Sequence, residues 1–449
     1  MPSSHLVLGA RGALLSVLVY FFEHRRSESP LIEMALEEQR LTAEDQLFIL
    51  MQAALYLTAT RGMAAPEVRT CYKRAESLCH SLNRPLLLYS ALMGQWRYSL
   101  MTDKLTATMQ IAKRVYSLAQ EQDLPAMMIG ACQAMVSTSY FLGDFESVRQ
   151  YALRGVQIWR SGHVQSPVEE VDPPAVVCLC YKALGEAFFG EIDSSQSTIA
   201  EAISLAKELN DKHALAEALF FAASLRHSPA ETERLVSEVI ELSTRYNFAH
   251  WLPLADIFRG CAHSVSGDTT QGIAWIEDGL RNYRASGSVL ALTCYLGLKA
   301  EALYLAGHAS EALEAIREAE AVAQKTEERF WCAELQRLRG VVLATLGAED
   351  AQIEASFDEA IRIAREQKSV WLTKRAEESY AEYRSQKGRA LGGALVATRE
   401  NFGGKATGYR KRYFWARGGY RVSGSCLGKQ RCQHRYNRGL GWRRQIDAR

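Results

Sequence analysis

Ten histidines and ten cysteines are spread through this 449-residue chain. Few of them stand where they could act together. Cys426, Cys432 and His434 make the most metal-like grouping, but the C-x5-C-x-H spacing departs from zinc-ligand patterns. Cys178-Leu179-Cys180 is too tight for a structural zinc pair. Cys71, Cys79, Cys132, Cys261, Cys294 and Cys332 sit singly among apolar neighbours, as reduced core thiols do in a cytoplasm. His80, His213 and His263 each stand alone in a helical pattern, where a solvated or core-edge histidine is the ordinary reading. The carboxylate pairs Glu169-Glu170 and Glu327-Glu328 fall at loops or helix starts, which favour acids through the helix dipole. The chain has no G-x-S-x-G elbow, H-E-x-x-H or G-x4-G-K-[ST] loop. Gly403-Gly404-Lys405-Ala406 and Gly428-Lys429-Gln430 lack the hydroxyl residue that would hold magnesium. These residues predict a protein that is not an enzyme and takes no cofactor or metal.

A second set of residues has binding chemistry. Lys182, Arg259, Lys299 and Arg339 each precede a glycine (Gly190, Gly267, Gly307, Gly347) by eight residues, and each is followed by Ala or Gly. A row of cations in a groove would read an acidic peptide or a phosphate-bearing ligand. The other reading of the same pattern is that the stems pack over neighbouring helices while the heads reach water. Trp96, Tyr98, Tyr181, Trp251, Tyr295 and Trp331 stand on the same class of helix and would line such a groove, or pack in its walls.

The elements that position these residues are helices throughout. Hydrophobic residues make up 48% of the chain and there are only ten prolines, so long helices are permitted. Gly143, Gly190, Gly267, Gly307 and Gly347 recur at intervals near 40 or a multiple of it, with a missing turn expected near His227-Ser228-Pro229. After them, Ala312, Ile316 and Ala319 match Gly272, Ile276 and Gly279 in register, and Ser195, Ile199 and Ala202 repeat the pattern. Small residues let helices approach and the larger one fills the gap. The expectation is eight helix pairs over residues 44–367 and a lone helix from Val370 to Lys387, stacked as an all-α superhelical solenoid. Ser161 to Pro174 reads as a surface loop. If each unit touches only its neighbours, unfolding should be broad and a cut after Gly287 should leave a folded fragment.

The small–bulky–small triplet and the Gly143-Asp144-Phe145 turn resemble the tetratricopeptide repeat. Three stretches, Leu57 to Val68, Trp251 to Leu280 and Glu328 to Gly340, resemble something narrower: the tetratricopeptide-repeat half of bacterial adenylate/guanylate cyclase-like, AAA-type signalling ATPases. The resemblance covers about residues 33–387. The family's cyclase and ATPase domains have no counterpart in this sequence. The resemblance therefore implies the sensor or adaptor part of such a regulator, with a protein or peptide partner and an ATPase or cyclase domain encoded nearby.

The ends differ from this body. Residues 388–449 hold 15 Lys+Arg and two acids, a net charge of +13, which leaves −11 on residues 1–387. The basic segment also carries twelve Gly and eight aromatics. Its composition changes abruptly near Gly388, as a frame-slipped or non-native extension would. The alternative is a disordered tail that neutralises phosphates and stacks on bases of RNA or DNA. In residues 1–32, Leu6 to Phe22 is apolar except for Arg11, and His24-Arg25-Arg26 follows. That charge order is wrong for a signal peptide and the run is short for a span. It reads as a buried or mis-started helix, with no membrane span and a cytoplasmic chain. The resulting expectation is a scaffold for protein–protein interaction, with nucleic-acid binding through the tail as the alternative.

Overall fold

The computed structural model describes residues 42–162, 173–225 and 228–397. Both ends and most of the expected loop at 161–174 lie outside them, as do Arg226 and His227 of the missing turn. The described residues form seventeen helices and no strand. They are α1 Ala43–Arg61, α2 Pro66–Ser81, α3 Pro85–Thr102, α4 Leu105–Gln122, α5 Pro125–Phe141, α6 Phe145–Gly162, α7 Pro174–Phe188, α8 Ile192–Glu208, α9 Lys212–Ser224, α10 Pro229–Tyr246, α11 Trp251–Ser266, α12 Thr269–Ala285, α13 Leu292–Leu305, α14 Ala309–Thr326, α15 Cys332–Leu346, α16 Asp350–Glu366 and α17 Val370–Ala397. The first sixteen form eight antiparallel pairs of a tetratricopeptide-like solenoid. The last helix continues through Gly388, where the change in composition had suggested an end.

Local chemistry sets the boundaries. Pro66, Pro85, Pro125, Pro174 and Pro229 each open a helix, where the missing N–H costs nothing. Thr42, Asp211, Ser228 and Asp268 cap helices with their side-chain oxygens, satisfying N–H groups that the helix leaves unpaired. Turns inside the pairs use glycines at positive φ, Gly143, Gly190, Gly267, Gly307 and Gly347 among them. Turns between pairs mostly use a non-glycine in the left-handed region: Asn83, Asp123, Asn210, Asn247, Glu327 and Lys368. The periodic glycines therefore mark one of the two edges of the solenoid.

The two helices of a pair are built differently. Second helices bury one stripe; α6 buries Phe145, Val148, Ala152, Gly155 and Val156. First helices bury more of their circumference; α5, the extreme case, is buried at every residue from Met127 to Phe141. A helix apolar all round is an interior helix. Successive first helices pack against one another as an inner layer, with the second helices fanned outside them.

The array also touches itself one superhelical turn later. The terminal carbonyls of a helix have no partner within it. Those of α3, α5 and α7 are met by turns between later pairs. Val289 N–H donates to Met101 O (2.8 Å), Arg329 N–H to Phe141 O (2.8 Å) and Ser369 Oγ to Phe188 O (3.0 Å). Val289, Arg329 and Ser369 are spaced by the repeat length, so the period that builds the array brings them into register with the three acceptors. Thr106 Oγ1 donates to Glu327 (2.6 Å) and Lys368 pairs with Glu146 along this seam. One hydrophobic core runs from Tyr89 to Leu372. The expectation of units touching only their neighbours is thereby corrected: the second to eighth pairs share an interior, and a cut after Gly287 would remove the whole later side of the seam.

Candidate functional site

The four repeat-equivalent cations do occupy equivalent places, but not in an inner groove. Arg259 on α11 pairs with Glu233 on α10 (3.1 Å), Lys299 on α13 with Glu277 on α12 (2.9 Å), and Arg339 on α15 with Glu320 on α14 (3.1 Å). Each head thus turns outward to the preceding second helix. Lys182 bonds Glu186 on its own helix (2.6 Å) and Thr198 on α8 (2.8 Å). Arg259 also lies over the Trp275 ring, 4.4 Å from its centroid. These contacts correct the reading of a free cationic row: the stems are covered and the heads are engaged by the chain's own side chains.

The aromatic residues read as groove candidates are all buried: Trp96, Tyr98, Tyr181, Trp251, Tyr295 and Trp331. Trp96 Nε1 donates to Thr138 Oγ1 (3.0 Å), and Trp251 Nε1 to His213 Nε2 (3.1 Å). Tyr181 packs edge-on to Tyr140 and Phe221. They are walls of the shared interior rather than a lining open to solvent.

The interior is not completely filled. An apolar cavity of about 80 Å3 lies where the two sides of the seam meet. Tyr140, Leu184 and Phe188 wall it from α5 and α7, and Phe258, Cys294 and Leu298 from α11 and α13. Phe330 and Trp331, from the turn before α15, and Trp371 on α17 close the remaining side. Ala187, Ile192, Ser224, Leu225 and Trp371 are half-buried around its mouth. Tyr140 and Phe330 pack at a tilt across the seam, their centroids 5.0 Å apart. Sequence reasoning had picked only Trp331 of these residues. The signal for the rest was the mainly apolar composition of α5 and α7, whose few polar positions leave long apolar runs.

Charged groups stand near this cavity without lining it. Arg375 stacks on Trp371 (5.2 Å) and shares the buried Glu334 carboxylate with Arg337 (3.0 and 2.8 Å). Arg337 also donates to Ser379 Oγ (3.1 Å). Two guanidiniums on one carboxylate, with Glu301 near Arg337, hold α13, α15 and α17 together. On another side, Glu328 sits at the start of α13. Its carboxylate accepts from the Ala291 N–H, the Thr293 hydroxyl (2.5 Å) and the Thr293 N–H (3.4 Å). Burial pushes its pKa up to about 7, against the opposing pull of those hydrogen bonds.

A wider cleft of about 500 Å3 opens on the outer face between α14, α15 and α16, with Glu320 and Arg339 in its wall. Glu320 and Arg339 pair with each other, and the cleft's other charges are engaged by residues outside it, Glu327 by Lys104 and Arg329 by Glu366. Among the described residues, no group of three or more His, Cys, Asp or Glu is arranged around a metal position. No helix among them is long and apolar enough to cross a membrane.

Comparison with known proteins places this geometry. A family model described as anaphase-promoting complex subunit 5 matches residues 176–229, 293–331 and 327–385, less than half of the chain. R02095 of Rhizobium meliloti (strain 1021) is 24% identical over 332 residues, which are 73% of this chain and 32% of that protein. This chain thus spans about a third of that curated relative. Among solved structures, a Rap protein complexed with competence and sporulation factor superposes with a TM-score of 0.53 at 12% identity, covering 80% of this chain and 98% of that one. NprR in complex with its cognate peptide NprX gives 0.49 at 11% identity, over 77% and 99%. At such identities the likeness is one of fold: a tetratricopeptide-like helical repeat.

Proposed function

We propose that this chain is a protein-interaction module that takes a partner segment on the inner side of its first helices. In the finer form of this reading it is the sensor or adaptor part of a bacterial signalling ATPase or cyclase-type regulator. The cavity carries the proposal. It is apolar, reached through a half-buried mouth, and walled by residues from six successive units and α17. Concave, mostly apolar sites of this kind suit recognition rather than bond making. The finer form is supported by the three stretches that resemble the signalling-ATPase family. A curated relative some three times the length of its matched part leaves room for further domains. Peptide-bound Rap and NprR structures have the same kind of fold, which is the setting for such a site rather than evidence of a shared ligand.

Selection of a displayed peptide library on the full chain tests this. We expect enriched peptides to share one bulky apolar residue and to lose binding to Ala187→Trp, which plugs the mouth. Failure to enrich any sequence, or equal binding to the plugged variant, would overturn the proposal. The same preparation should neither bind nor hydrolyse ATP, since no phosphate loop is present in the sequence.

A further inference from the structure

We infer that the interior cavity is a receptor site for a compact uncharged apolar group, of phenyl or isobutyl size, whose binding holds the superhelical seam closed. The inference rests on the reading of this cavity as the binding site and adds both its ligand class and its consequence.

Size and lining set the ligand class. Protein interiors are close-packed, so a void among large aromatic side chains is an exception, and an apolar one is dry and open to a small apolar guest. At about 80 Å3 it has room for one compact group and no room for an acyl chain. Its walls are mainly rings and aliphatic side chains and include no Asp, Glu, Lys, Arg or His, and the Ser224 hydroxyl at the mouth is already bonded to Phe221 O (2.8 Å). A charged group entering here would lose its hydration without meeting an opposite charge. The shared chemistry fits either a partner's Phe, Leu or Met side chain or a free small hydrophobic molecule.

The consequence follows from where the walls come from. Tyr140 and Phe188 belong to the early side of the seam, Phe330 and Trp371 to the late side. Two seam bonds end on wall residues themselves: Phe330 N–H to Phe141 O (3.3 Å) and Ser369 Oγ to Phe188 O. When the seam opens, the late wall leaves and the site ceases to exist. A ligand bound to the closed form alone must therefore suppress opening, by a factor set only by its concentration relative to its Kd.

Native-state hydrogen exchange on the full chain, with toluene as the probe, tests this. Calorimetry supplies the Kd, and Ala187→Trp should abolish binding. At ten times Kd, the Val289, Arg329 and Phe330 amides should exchange about tenfold more slowly, because exchange needs the open seam. The Leu82 amide, bonded within its own turn to Leu78 O, should be unchanged. Val289 decides the matter, since its bond to Met101 O lies one pair away from the cavity. Slowing at Arg329 and Phe330 with none at Val289 means local covering only and overturns the coupling, while leaving the cavity as a binding site. No saturable toluene binding overturns the ligand class, whatever the peptide selection returns. Peptide binding abolished by Ala187→Trp without toluene binding separates failure of this inference from failure of the proposed function.

Discussion

Glu328→Gln should make the protein more stable at pH 8 and leave it nearly unchanged in mild acid. Glu328 is buried at the start of α13, and its folded pKa stands near 7 against an ordinary 4.5. A carboxyl group with a raised folded pKa binds its proton more tightly in the folded state. It therefore adds stability at low pH and loses that contribution as pH rises through the folded pKa. Linkage between 4.5 and about 7 gives a loss of about 2 kcal/mol between pH 5.5 and pH 8. Glutamine keeps an acceptor for the Thr293 hydroxyl and the Ala291 N–H but has no charge to bury. Urea denaturation of both proteins at pH 5.5, 6.5, 7.5 and 8 checks this. The variant-minus-wild-type difference should rise by about 2 kcal/mol across the series, which also cancels the histidines common to both. A difference independent of pH would mean that Glu328 titrates in or below the ordinary carboxylate range, its hydrogen bonds at α13 offsetting or outweighing its burial.

The seam predicts a single cooperative unfolding transition for residues 42–397, with circular dichroism and tryptophan fluorescence superimposing. The fragment ending at Gly287 should bind a hydrophobic dye such as ANS, having lost the partners of Phe141 and Phe188. Arg375→Ala removes one of the two guanidiniums on Glu334, which stays paired with Arg337, and should cost about 1.5–3 kcal/mol, measured by denaturant midpoint. Lys299→Ala with Arg339→Ala removes two partly exposed ion pairs. It should cost about 0–1 kcal/mol per pair, with no effect on the peptide that the cavity selects. Gly260→Val drives a branched side chain into the Gly272 carbonyl and Ile276 of α12 and should destabilise by about 1–3 kcal/mol or more.

The helices were legible because their signals are local. Prolines that open helices, glycines that turn them and the Gly272–Ile276–Gly279 register each act within a few residues, and all are placed as the pattern implies. Gly260 and Gly272 show why the register is strict: their backbones approach so closely that a Cβ on either would meet the other's carbonyl. The cationic row was legible as a repeat and not as a surface. Eight residues before a glycine fixes the position along a helix but leaves open which side of the inner layer the head will leave by. Glu233, Glu277 and Glu320, which receive the heads, stand at no fixed spacing from them. An acid one pair earlier is invisible to a pattern read within one unit.

The seam was illegible for a different reason. Whether a solenoid meets itself depends on the small rotation between successive pairs, summed over about a whole turn, and no single residue encodes that sum. Its marks in the sequence are chemically ordinary: a valine, an arginine and a serine, donating twice through backbone N–H and once through a hydroxyl. The composition of α5 and α7 does carry the consequence. An inner helix bordering an open groove keeps one polar face. Met127 to Phe141 buries even its Gln133, Ser137, Thr138 and Ser139, and Pro174 to Leu179 has no polar side chain. The side that a groove would have wetted is covered by Phe330, Trp331 and Trp371, from the far end of the array. A partner thus meets a nearly closed coil, in which one cavity is joined to three seam bonds. Under the proposed function, binding and coil closure would draw on the same residues, so a partner filling the cavity would be felt through the whole array and not by a single repeat.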